Sequence, residues 1–283
     1  MALWSSRRRG YAVGTLAITA ALTLSACGGQ QAGTDTAQPT GGTAAGGAKL
    51  VKPGKLTTCT NIPYEPFQFK EGDKVVGFDV DIVDLAAKKL GVTQEIVDID
   101  FAQIKSGAAM ASGKCDVAAA GMTITDERKK NIDFSVPYFD ATQALLAKKG
   151  TGATSLEDVK AKGLKLGAQA STTGLEFVKG KGFDPVEYAD SAKELLALQS
   201  GQADVIVQDL PVVLTWLKKP DVAAKFEVIA SLDTGEQYGI GLKKNADPVL
   251  LKAINESIEA AQKDGTYEQI FVKWFDKKPG ELG

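Results

Sequence analysis

The 283-residue chain contains no histidine. That removes the usual general base at neutral pH and the commonest metal ligand together. Cysteine is scarce: Cys27, Cys59 and Cys115 are the whole complement. An excess of charge is missing too. Lys and Arg number 33 against 35 Asp and Glu, interspersed, for a formal net charge of −2, which argues against nucleic acid or an acidic polymer as partner. Behind Leu24 no run is long and apolar enough to span a bilayer. A calcium loop is lacking as well: Asp79, Asp81 and Asp84 in GFDVDIVDLAAKKLG have neither the glycine turn nor the distal glutamate it needs. Those acids are expected as helix cap and solvated face, and neither a metal nor a cofactor is expected.

What is present begins with a targeting segment. Arg7, Arg8 and Arg9 form a basic region ahead of a mostly apolar stretch, Tyr11 to Leu22, which ends at small residues and is excluded from the fold. It stops at LSAC, Leu24 to Cys27, which resembles a bacterial lipobox. The resemblance implies cleavage before Cys27 and lipid attachment to its sulfur; the alternative is an ordinary secretory signal with an incidental cysteine. From Gly28 to Ala48 there is no large apolar residue and one charge, Asp35. Such a stretch cannot offset its ordering entropy by burial, so it is expected as a tether. The expected division is a signal peptide over 1–26 and a lipidated cysteine with tether over 27–48. That places the protein on the extracytoplasmic face of the membrane, working in water.

From Lys49 onward, short apolar runs alternate with helical stretches, which predicts α/β units with a largely parallel sheet. KLTTCT reads as a first strand. GFDVDIVDLAAKKLG reads as a helix with Phe78, Ile82 and Leu85 on one face and Gly91 as its stop. MASGKCDVAAAG and LQSGQADVIVQD share S-G-x-x-D-V, with Asp116 and Asp204 lying 88 residues apart. A repeated unit of helix, turn and strand predicts two lobes of similar build, with the two aspartates as turn residues.

Ligands of open α/β sheets bind beyond the carboxyl ends of strands. After the first strand comes NIPYEPFQF, where Pro63 and Pro66 stiffen the loop presenting Tyr64 and Phe67. After CDVAAAG comes MTITDERKK. Thr125 suits an N-cap, and Asp126 and Glu127 suit the positive end of a helix, but Arg128 in the same turn opposes the dipole. After KLGAQA comes STTG, opening a helix whose N–H groups suit an anion. After VIVQ comes Asp209, a carboxylate stranded at the end of an apolar strand. DERKK alone could be a solvated charge run and Asp209 alone a cap. Together they complement an α-amino acid zwitterion: cation and helix N-termini for the carboxylate, an acid for the ammonium, aromatics for the rest.

PFQFKEGDKVVGFDVD, AAAGMTITDERKKNIDFSVPY and DGTYEQIFVKWF closely resemble the family 3 extracellular solute-binding proteins, receptors for polar amino acids in ABC importers. The resemblance runs from about Leu50 to Phe275, and its T-x-T-x-x-R core with following F-S-x-P-Y is highly specific. It implies a two-lobe, type II periplasmic-binding-protein-like α/β fold with a two-strand hinge and an interlobe ligand cleft. Crossings are expected near Ala141 to Ala147 and Leu232 to Gln237, with lobe 1 from 49–143 and 236–283 and lobe 2 from 144–235. Matched by position, Arg128 binds the ligand α-carboxylate through a bidentate fork, with Thr123 and the amide of Thr173 as further donors. Asp209 and the carbonyl of Gly121 receive the α-ammonium; Tyr64 and Phe101 flank the ligand side chain. Asn61 stands where glutamine and basic amino acid receptors usually carry an acid, and Gln169 occupies another side-chain-reading position. Both favour a neutral polar or acidic ligand, although Glu65 lies close enough in sequence to oppose that. The resemblance further implies capture by hinge closure, a monomer, and hand-over to an ABC transporter permease.

Two competing classes share the fold: a dehydratase-like enzyme, opposed by the lack of histidine and of a separate catalytic domain, and a sensor module, opposed by the lack of a signalling segment. For Cys59 and Cys115 the arguments diverge. An extracytoplasmic compartment invites a disulfide. If Asn61 and Gly121 reach the same level of the cleft, however, the thiols are offset by about four residues at roughly 3.3 Å each, beyond disulfide reach; the expectation leans against a bridge.

Overall fold

The strand Lys55–Thr60 is buried at every residue after Lys55. KLTTCT is therefore a central strand covered on both faces, a position that suits its β-branched threonines. The computed structural model describes residues 42–282; the signal segment and Cys27 lie outside them. The first sheet runs in the order Thr93–Asp98, Lys55–Thr60, Val117–Ala118, Gly241–Lys243, Ile132–Phe134. Its first three strands are parallel, and Gly241–Lys243 is antiparallel to both neighbours. A second sheet runs Val186–Tyr188, Leu166–Gln169, Val205–Asp209, Phe139–Lys148, Phe226–Tyr238. Each sheet with its flanking helices forms one lobe of the expected α/β fold.

The repeated S-G-x-x-D-V unit does the same work in both lobes. The Asp116 carboxylate accepts the backbone N–H of Thr57 (2.8 Å), and that of Asp204 accepts the N–H of Lys165 (2.9 Å). In each case the aspartate ties the turn before one strand to the start of the parallel strand beside it.

Two long strands join the lobes. Phe139–Lys148 and Phe226–Tyr238 pair antiparallel from Phe139↔Tyr238 to Lys148↔Phe226, with a break in register between Leu232 and Glu236. Tyr238 then bridges Thr123 of the first lobe, and its carbonyl accepts from the Tyr138 amide. Both expected crossings fall within this strand pair. The chain finishes on the first lobe with the helices Pro248–Asp264 and Thr266–Phe275. Phe271 and Phe275 enter a cluster with Phe67, Phe78, Phe139 and Tyr238, in which the Phe78–Phe275 centroids are 5.2 Å apart. Such pairs contribute about 0.5–1.5 kcal/mol each beyond area burial. Asp81 fastens the last helix from outside by accepting from Trp274 Nε1 (2.7 Å).

Two expectations are corrected here. Cys59 and Cys115 form a disulfide, with Cα atoms 5.7 Å apart. The offset assumed that the strand before Gly121 extends straight back through Cys115. It covers only Val117–Ala118, and Cys115 lies in the bend before it, which carries the thiol sideways to Cys59. The end of the expected tether is also structured: Gly42–Thr43 pairs with Lys49–Leu50, and Ala48 is fully buried. Backbone pairing and a methyl group suffice for that, so composition alone missed it.

Candidate ligand-binding site

All nine residues singled out from the sequence (Asn61, Tyr64, Phe101, Gly121, Thr123, Arg128, Gln169, Thr173 and Asp209) line one cavity. They converge because each follows the carboxyl end of a strand or opens the helix after it. Asn61 follows Lys55–Thr60, Gln169 ends Leu166–Gln169, and Asp209 ends Val205–Asp209.

Arg128 sits in the single helical turn Asp126–Lys129, whose N-cap Thr125 accepts its backbone N–H. The side chain is 4% exposed. Its guanidinium donates to two backbone carbonyls, Thr123 (2.8 Å) and Ser171 (3.4 Å), and lies over the Phe101 ring at 5.5 Å. Among the described residues no carboxylate lies within ion-pair distance of it. Burial pulls its basicity below the ordinary value, opposed by the more distant Glu176, Glu236 and Asp209. Ser171, which supplies one of those carbonyls, has φ +69°, a left-handed conformation costing an L-residue roughly 1–2 kcal/mol. Beside Arg128, the hydroxyls of Thr123 and Thr173 lie 3.3 Å apart, one from each lobe. Thr173 opens the helix Thr173–Gly180, so its N–H is among the donors that helix leaves unpaired.

Asp209 is 6% exposed and has no ion-pair partner among the described residues. Its Oδ2 accepts from the hydroxyls of Tyr64 and Tyr238, and its Oδ1 from Gln143 Nε2. A carboxylate has about four acceptor positions, so three donors leave one open, on Oδ1. Burial pushes its pKa up to about 6; Tyr238 and Tyr64 pull it back, Glu236 adds to the rise, and Gln143 opposes it. The cavity thus holds a buried cation and a buried acid, neither neutralised by the protein.

Gly121 has φ +54°, and a Cβ there would stand 2.8 Å from Tyr64 Cε1. Its amide donates to Asp79 Oδ2 (2.8 Å), while Tyr138 donates to Oδ1 (2.7 Å). This corrects the reading of Asp79 as solvated: it is 2% exposed, and burial raises its pKa to about 7 against those two donors. The signal was available, since Asp79 precedes the buried Ile82 and Val83 by three and four residues and so shares their helix face.

At the remaining wall, Asn61 donates to the Ile99 carbonyl (3.0 Å), and Gln169 Nε2 donates to Asn61 Oδ1 (3.4 Å). Gln68, not foreseen, also lines the cavity and donates to the Asn61 carbonyl (3.2 Å). Tyr238 and Gln143 were missed as well. Both lie on the hinge strands, where the break in register hides from the sequence which side chains face Asp209. Glu65, which clouded the ligand class, pairs with Lys219 (3.5 Å) and does not line the cavity.

The chain is 30% identical to the arginine-binding extracellular protein ArtP of Bacillus subtilis over 254 residues, 89% of this chain and 92% of that one. It is 33% identical to the ABC transporter glutamine-binding protein GlnH of the same organism over 211 residues, 74% and 76% of the two chains. A solved structure of an ancestral arginine-binding protein bound to glutamine is 41% identical, with a TM-score of 0.73 over 79% of this chain and 99% of that one. With residues 56–277 matching the family pattern, the chain belongs to the bacterial extracellular solute-binding proteins, family 3.

Proposed function

We propose that the protein is the substrate-binding lipoprotein of an ABC importer, anchored through lipid on Cys27, which captures a polar α-amino acid and delivers it to a membrane permease. The observation that carries this is the pair of uncompensated groups in one cavity, Arg128 and Asp209. Arg128, Thr123 and the amide of Thr173 bind the α-carboxylate; Asp209 and the carbonyl of Gly121 take the α-ammonium; Tyr64 and Phe101 flank the side chain. Residues 49–143 and 236–283 act as one lobe and 144–235 as the other, turning about the strand pair between them. Arg128, Thr123 and Tyr64 come from the first lobe, Thr173 and Asp209 from the second. A ligand contacting both sets favours the closed state by its differential contacts. The names of the relatives, which carry arginine and glutamine, support an amino acid as ligand.

Thermal-shift screening against the common amino acids tests this. A ligand at 100 times its Kd stabilises by about 2.7 kcal/mol, which raises the melting temperature of a domain this size by roughly 5–10 °C. No shift with any amino acid overturns the proposal. Mass spectrometry after incubation separates binding from catalysis, since a bound solute is recovered unchanged.

A further inference from the structure

The wall formed by Asn61, Gln68 and Gln169 has a direction. A backbone carbonyl only accepts, so Asn61 must turn its Nδ2 toward Ile99 O, and Gln68 its Nε2 toward Asn61 O. Asn61 Oδ1 is then left to receive Gln169 Nε2. Both chains of hydrogen bonds therefore begin at fixed carbonyls and end on amide oxygens. Those oxygens, Gln68 Oε1 and Gln169 Oε1, are buried and have no partner, on side chains 1% and 3% exposed. An unpaired buried acceptor is costly, so the wall is complete only when a ligand brings N–H donors.

Three side-chain classes can be weighed against it. An acidic side chain brings no N–H donor and leaves the two amide oxygens unpaired. A cationic one brings donors, but among the described residues the only carboxylate lining the cavity is Asp209, already held by Tyr64, Tyr238 and Gln143. Its charge would be desolvated against neutral oxygens in a cavity that also contains Arg128. A primary carboxamide brings two N–H donors without charge. Its own carbonyl can accept the second hydrogen that each wall amide nitrogen still carries.

We infer that the side-chain end of this cavity is built for an amino acid ending in a primary carboxamide, glutamine or asparagine. The inference rests on the amino-acid reading of the same site. Calorimetry on the full chain with glutamine, asparagine, glutamate, arginine and lysine tests it. The expected result is that glutamine or asparagine binds at least tenfold more tightly than the other three. Tighter or equal binding of arginine, lysine or glutamate overturns the carboxamide assignment and leaves amino-acid capture standing; binding of none of the five also overturns the carboxamide assignment, and the thermal-shift screen against the common amino acids then decides whether amino-acid capture stands. Gln169→Glu adds a carboxylate to the wall and should move the ratio of arginine to glutamine affinity at least tenfold toward arginine. A ratio unchanged in that variant, with a melting temperature near that of the parent, also overturns the assignment. The wild-type panel decides the matter even if a variant fails to fold.

Discussion

The Arg128 guanidinium is buried, cationic and, among the described residues, hydrogen-bonded only to carbonyls, so removing it separates binding from folding. Arg128→Ala should weaken ligand binding by roughly 3–5 kcal/mol, because the incoming carboxylate is left buried without its partner. The same change should scarcely lower the melting temperature of the ligand-free protein, because it also removes the desolvation cost of the arginine. Calorimetry and a melting curve on one sample check both; unchanged affinity would refute the assignment. Asp209 carries a second single-residue prediction. Its folded pKa of about 6 lies above the ordinary aspartate value of 3.8. The folded state therefore holds the proton more tightly, and stability from this group falls as pH rises from about 4 to about 6. Ligand affinity moves the opposite way, since an ammonium selects the ionised form: it should climb through that window and level off above it. At pH 6 binding should release about half a proton, measurable as a dependence of the binding enthalpy on buffer. Arg128 was legible in the sequence because it violates helix electrostatics. Asp209 was legible because a charge closes an apolar strand. Tyr238 and Gln143 carry no such misfit, and only pairing brings them to the same carboxylate.

At the scale of elements, strand ends were predictable and lateral connections were not. KLTTCT, the helix after Gly77 and the S-G-x-x-D-V turns show local periodicity, and each formed where it was expected. The disulfide did not follow from the sequence, because two strand residues and a bend replaced the longer straight strand that was assumed. The bridge spans a sequence separation of 56 residues, tying the central strand to the turn that enters its neighbour. Cys59→Ala with Cys115→Ala should therefore lower unfolding free energy by about 2–4 kcal/mol, chiefly by freeing the unfolded chain. Both cysteines lie off the ligand cavity, so affinity should remain close to that of the parent. Denaturant titration beside calorimetry distinguishes the two effects.

For the whole molecule, three contacts cross the cleft, and on the proposed function they form when the lobes close: the Thr123 and Thr173 hydroxyls, Lys105 with Glu176 at 2.8 Å, and Ser191 Oγ on the Pro63 carbonyl at 2.7 Å. Small-angle scattering should show a smaller radius of gyration when ligand is added, and no change in Arg128→Ala at the same ligand concentration. An equal contraction in the variant would remove Arg128 from the closure step. The two-lobe plan itself was legible from the repeated unit, whereas the hinge was located by resemblance alone. One consequence of that hinge concerns the gene as much as the protein. Phe139 and Tyr238 are direct cross-strand partners, so the chain leaves the first lobe and returns to it at neighbouring points. Everything between them is an insertion in the topological sense. A short turn joining these two positions would restore a continuous first lobe, with its disulfide and C-terminal helices intact, and the middle segment could be exchanged between relatives as a cassette.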